Sequence, residues 1–164
     1  MLTRFRDLRR RILRKKSDVA LVAVWTTLVA LVVIQSYLIS YSTDPFLAYT
    51  KPAYPWTGGL TIGLPSILIV AVSGIIAGLF LSDVKEMIYG YIAATVLSFI
   101  ADIIFVSFYI WYALEWGPTL SSGFNWEWAP FLATEVVFNL TFPYIIITGL
   151  ISLVIGAFLK EWIS

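Results

Sequence analysis

The sequence predicts an all-α integral membrane protein with four transmembrane helices and a basic amphipathic helix lying at the membrane interface before them. Three observations carry this expectation. The 164-residue chain is 60 % hydrophobic and 13 % charged, against roughly 25 % charged residues in a soluble domain. Its apolar residues gather into four nearly uncharged blocks, about 19–41, 60–81, 87–113 and 131–159, each reaching the roughly 20 residues that cross a hydrocarbon core. Ten of the eleven cations fall on one side of the topology that these blocks define. The chain accordingly divides into a basic segment, 1–18, and a transmembrane domain, 19–164.

The first sixteen residues carry eight Arg and Lys, and Leu2, Phe5, Leu8 and Ile12 form an apolar stripe among them. Such a helix is expected in the interface plane, with Arg9, Arg10, Arg11, Arg14, Lys15 and Lys16 near anionic lipid head groups. It reads first as a topogenic signal and second as a specific lipid or partner site. Nucleic acid is not expected as a partner, because no stacking aromatics are interleaved with the charges.

Ser17 and Asp18 suit an N-cap for the first span, whose only strongly polar interior residue is Gln35. No small-residue cleavage site follows this block, so it is expected to insert and stay. A loop rich in Pro, Gly and aromatics, 42–59, leads to the second span. There Pro65 falls in the first turns, where a missing N–H is least harmful. Gly74 and Gly78 form a G-x-x-x-G pair that suits close helix contact, within the chain before dimerisation.

The third span follows the charged turn 82–86. Gly90, Ala94, Ser98 and Asp102 recur every fourth residue and so share one face. Small residues on a stripe mark where another helix packs, so Asp102 is expected to point into protein. A second outer loop, 115–130, bears Trp116, Trp126 and Trp128, as expected at a bilayer surface. In the last span Glu135, Asn139 and Pro143 stand at i, i+4 and i+8, with Gly149 and Gly156 continuing nearly the same face. Pro143 donates no N–H to the Asn139 carbonyl, leaving it for another ligand.

Eight cations precede span one, Lys85 lies between spans two and three, and Lys160 follows span four; Lys51 alone is opposite. The positive-inside rule therefore puts both termini in the cytoplasm of a multi-pass cell-membrane protein.

The chain has no Cys and no His. That excludes disulfides, thiolate nucleophiles, Cys- or His-ligated metals, axial His ligation of haem and His-based catalytic relays within it. No cofactor or metal is expected. No Lys, Arg or His lies within any span, and an acid at the bilayer centre is costly. Asp102 is therefore read in three ways: protonated and hydrogen-bonded between helices, paired with a cation from another subunit, or part of a proton or cation path with Asn139. The depths of Asp102 and Asn139 differ by only ~3 Å at 1.5 Å per residue. Glu135 is shallower and is expected to meet water. The leading functional expectation is a non-catalytic membrane subunit that assembles with other membrane proteins or with itself. The alternative is a small proton- or cation-linked transporter or channel using Asp102, Asn139 and Glu135. An intramembrane enzyme ranks behind both, because no second acid lies at the depth of Asp102.

Overall fold

A computed structural model describes residues 2–43, 62–81, 83–113 and 128–163, with side chains over 16–40, 62–81, 83–111 and 129–163. Every regular element among them is helical: α1 (Leu2–Thr43), α2 (Leu64–Phe80), α3 (Val84–Phe108, continued by a π-helical turn Tyr109–Ala113), α4 (Trp128–Thr141) and α5 (Tyr144–Ile163). Three stretches are long and apolar enough to cross a membrane: Lys16–Ser40, Val84–Trp111 and Tyr144–Ile163. The shorter α2, with 17 residues, rises about 25 Å. Residues 44–61 and 114–127, with Lys51, Trp116 and Trp126, and the side chains of Arg9, Arg10, Arg11, Arg14 and Lys15 lie outside the described residues, while Trp128, expected in the second loop, opens α4.

Two elements differ from expectation. α1 runs unbroken through Ser17 and Asp18, so these residues sit inside a helix and cap nothing. No Gly or Pro occurs between Leu2 and Thr43, and nothing else in that stretch stops a helix. The basic segment consequently continues the first span without a break at which it could turn into the interface plane. The last apolar block, expected as one helix over 131–159, is instead divided into α4 and α5 by a turn at Phe142–Pro143. Proline lacks the N–H of the helical ladder and its ring collides with the preceding turn. Helical bonding stops with Phe142 N–H on the Phe138 carbonyl (2.8 Å) and resumes with Ile147 N–H on the Pro143 carbonyl (2.9 Å).

The helices pack as two parallel pairs. α1 lies beside α3: Val22 meets Gly90, the Trp25 and Tyr91 rings are 5.8 Å apart, and Tyr37 meets Tyr109 edge-on at 5.6 Å. The contacts climb both helices in the same direction. α2 lies beside α5, with Gly74 against Gly149 and Ser152, and Gly78 against Leu153 and Gly156. α4 leans on α3 and its π turn, and α1 on α2. The core, including Trp25, Val33, Tyr37, Val70, Ala94, Val106 and Val137, sits where these elements converge.

Hydroxyl side chains enter this apolar core by donating to the carbonyl four residues back. Thr26, Ser36, Thr141 and Ser152 bond Val22, Val32, Val137 and Thr148 at 2.7–2.8 Å. Each hydroxyl is thereby satisfied within its own helix.

Candidate functional site

The buried face of α3 is Met87, Gly90, Ala94, Ser98, Asp102 and Val106, joined beyond it by Ile110. The four-residue period read from the sequence is thus the period of burial. Asp102 is 1 % exposed, and neither carboxylate oxygen has a hydrogen-bond partner among the described residues. Ser98, one turn away, spends its proton on the Thr95 carbonyl at 3.0 Å. The Ser107 hydroxyl is also buried and has no partner among the described residues.

The structure does not hydrogen-bond the three polar residues of the sequence reading to one another. Asn139 is half-buried on α4 and Glu135 is exposed, while the Asp102 oxygens are unpaired. Similar depth read from the sequence does not suffice for a bond between Asp102 and Asn139, since rotation about the helix axis matters as much as height along it. Burial also constrains the pairing of Asp102 with a cation from another chain: such a cation reaches the carboxyl only if helices part. Among the described residues no three acidic side chains converge in a way that would hold a metal ion. What Asp102 can do alone is carry one proton.

Two to three turns from this acid, towards the start of α3, the bundle is shut. A void of only about 10 Å³ remains between Trp25, Val70, Tyr91, Ala94, Thr141 and Gly149, at the lower limit of room for one water. Tyr91 bridges the helices there, its hydroxyl donating to the Ile146 carbonyl at 2.7 Å. The Trp25 indole N–H is buried without a partner.

The small-residue positions are consumed within the chain. A Cβ on Gly74 would overlap Ser152, one on Gly78 the Leu153 carbonyl, and one on Gly156 the Ile75 carbonyl. Gly149 faces Tyr91 and Val70, and Gly90 faces Val22. At the charged end, Lys160 donates to the Leu81 carbonyl, tying the end of α5 to the residue that follows α2. Lys16 is exposed.

Two residues have a prominence in three dimensions that the one-dimensional reading did not assign. Gln35 is exposed on the outer face of α1, inside an apolar stretch of membrane-crossing length. It stands in a seam with Ala20, Val24, Thr27 and Leu31, all exposed and spaced by three or four residues, as on the contact face of a packed helix. Glu86 has one carboxylate oxygen buried without a partner. The sequence marked Gln35 as the polar residue of its block but not the direction it faces, and nothing in the charged turn 82–86 marked Glu86 as partly buried.

No family model matches this chain, and no curated protein or solved structure matches it either.

Proposed function

We propose that the chain is a non-catalytic integral membrane subunit that assembles with other membrane proteins. The observation that carries this reading is the seam on α1. After the bundle has closed, Ala20, Val24, Thr27, Leu31 and Gln35 still face outward. A side-chain amide in hydrocarbon finds no hydrogen-bond partner in lipid, and such groups act as contacts between helices. The small residues at the other end of the seam let a second backbone approach. The four-span topology and cytoplasmic termini belong to the same proposal, supported by the side on which ten of eleven cations fall.

Native mass spectrometry of the chain, released gently from its own membrane, tests the reading. The expected result is a stable complex with other polypeptides or a second copy, weakened in Gln35→Leu. A lone monomer under the same conditions overturns it.

A second reading, a small proton- or cation-linked transporter, is favoured by Asp102 alone. An ionisable residue buried at membrane depth is a candidate relay position. The packed centre around Tyr91 requires the helices to open before anything passes. Proton flux in liposomes is then expected to disappear in Asp102→Asn, and flux that survives the substitution removes Asp102 from any pathway.

A further inference from the structure

The outward faces of α1 and α3 differ in kind. Along α3 the exposed line is Ile88, Ile92, Val96, Ile100, Ile104 and Phe108, branched and aromatic side chains with nothing to offer but apolar contact. On α1 the exposed line Ala20, Val24, Thr27, Leu31 and Gln35 sets two short side chains and an amide into a stretch of membrane-crossing length. Short side chains let a second backbone come close, and the amide has both donors and an acceptor to place. α1 also continues beyond this stretch without a break, back to Leu2. Carried back along it, the same spacing of three and four reaches Lys16, Leu13, Arg9 and Arg6, and Lys16 is exposed. The seam and the basic segment are one continuous helix, so a helix docked on the first runs on beside the second.

Resting on the subunit reading above, we infer that this seam docks one membrane-spanning helix of another protein, which sets an amide or hydroxyl against Gln35 and a run of Asp or Glu beside the basic end of α1.

The two ends of the seam choose between three occupants. A second copy, inserted in the same orientation, would set Gln35 against Gln35 and satisfy both amides. It would also bring eight cations alongside another eight. Packed helices stand about 8–10 Å apart, close to one Debye length at physiological salt, so screening leaves much of that repulsion in place. An anionic phospholipid meets the cations, but its acyl chains give the amide no hydrogen bond. A helix tipped with acids answers both ends.

The test places the labelled full chain in phosphatidylcholine vesicles, where no anionic lipid competes, with synthetic leucine-alanine peptides long enough to span. The first peptide carries one asparagine at the depth of Gln35 and a run of glutamates beyond the end beside the basic segment. A second has lysines in place of the glutamates, and a third has leucine in place of the asparagine. Association is read by resonance energy transfer. The first peptide is expected to bind about tenfold more tightly than the second, as a few exposed ion pairs supply. That preference shrinks at about 1 M salt, where the Debye length falls to about 3 Å. It also falls, to about threefold or less, when Arg6→Gln, Arg9→Gln and Lys16→Gln are combined. The first peptide exceeds the third by about threefold, the worth of one interhelical hydrogen bond in a membrane, and Gln35→Leu removes this advantage. Equal binding of the glutamate and lysine peptides overturns the assignment, and so does an asparagine advantage that survives Gln35→Leu. Transfer between two labelled copies that exceeds transfer to every peptide overturns it in favour of a second copy. A native complex with other polypeptides that persists beside any of these failures leaves the subunit reading standing, whereas a lone monomer removes that reading too.

Discussion

The α2–α5 pair and the α1–α3 pair are both parallel, yet they are held together in different ways. Between α2 and α5 backbone meets backbone: Gly74, Gly78, Gly149 and Gly156 remove the side chains that would keep the helices apart. In hydrocarbon such closeness is favourable, because association rests on van der Waals contact and not on expelling water. Between α1 and α3 the contacts are side chains, with Trp25 on Tyr91 and Tyr37 on Tyr109. Side chains can shift rotamer where backbone cannot. The same bundle therefore contains a seam with no room to change and one whose contacts can give. The unmet polar groups follow that division: Asp102, Glu86 and the Trp25 indole all belong to the α1–α3 side.

Substitutions can break or sharpen this contrast. The largest effect is expected from Gly78→Ala, whose Cβ would overlap the Leu153 carbonyl and stand 2.9 Å from the Ala157 nitrogen. Backbone cannot turn aside as a rotamer can, so the chain should lose about 3 kcal/mol of stability in a thermal or denaturant melt in detergent. A melt like that of the unchanged protein would mean that α2 and α5 are not in close contact. Next, and opposite in sign, comes Asp102→Leu. Replacing a buried polar group that has no partner with an apolar one should stabilise the bundle by about 1–3 kcal/mol. Destabilisation in the same assay would show that the carboxyl has a partner beyond the described residues.

Tyr91→Phe is expected to cost about 1 kcal/mol, the worth of one hydrogen bond, since the ring stays against Trp25 while the Ile146 carbonyl loses its donor. No change would place the Tyr91 hydroxyl in contact with something other than Ile146. The smallest effect belongs to Gly90→Ala. Its Cβ would stand 3.0 Å from a Val22 methyl, and a side chain can shift by a few tenths of an ångström, so the loss should stay under about 1 kcal/mol. If Gly90→Ala proved as damaging as Gly78→Ala, the two seams would not differ as described.

Much of this architecture was legible in the residues. The stripe Gly90, Ala94, Ser98, Asp102 is visible because period four is a property of one helix alone, and no neighbour is needed to see it. The same holds for the apolar blocks and for Pro143. What one helix cannot show is its neighbour. The G-x-x-x-G of α2 announced a close contact without naming α5, and the expected meeting of Asp102 with Asn139 gave no hydrogen bond. The division at Phe142–Pro143 was readable in principle, since a 29-residue block is longer than a crossing requires. The continuity of α1 was misread for the opposite reason. Ser17 and Asp18 are good capping residues, but a cap needs a helix that begins, and the basic segment was already helical. Gln35 was noticed as polar, yet only the packed bundle shows that α1 presents it outward.

The period-four stripe of α3 has one further consequence, which concerns register. Four residues of helix advance about 6 Å and overturn a full circle by about 40°. A stripe with period four is therefore nearly unchanged by a screw motion of that size. Slid so along its own axis, α3 would bring Ala94 to the place of Gly90, Ser98 to that of Ala94, and Asp102 to that of Ser98. Shape alone would hardly resist. Resistance comes from the large side chains beside the stripe: a slide of about 6 Å would part Trp25 from Tyr91 and Tyr37 from Tyr109. Those ring pairs thus act as the notches that tell α3 where along its thread to stop, one on each side of Asp102 along the helix.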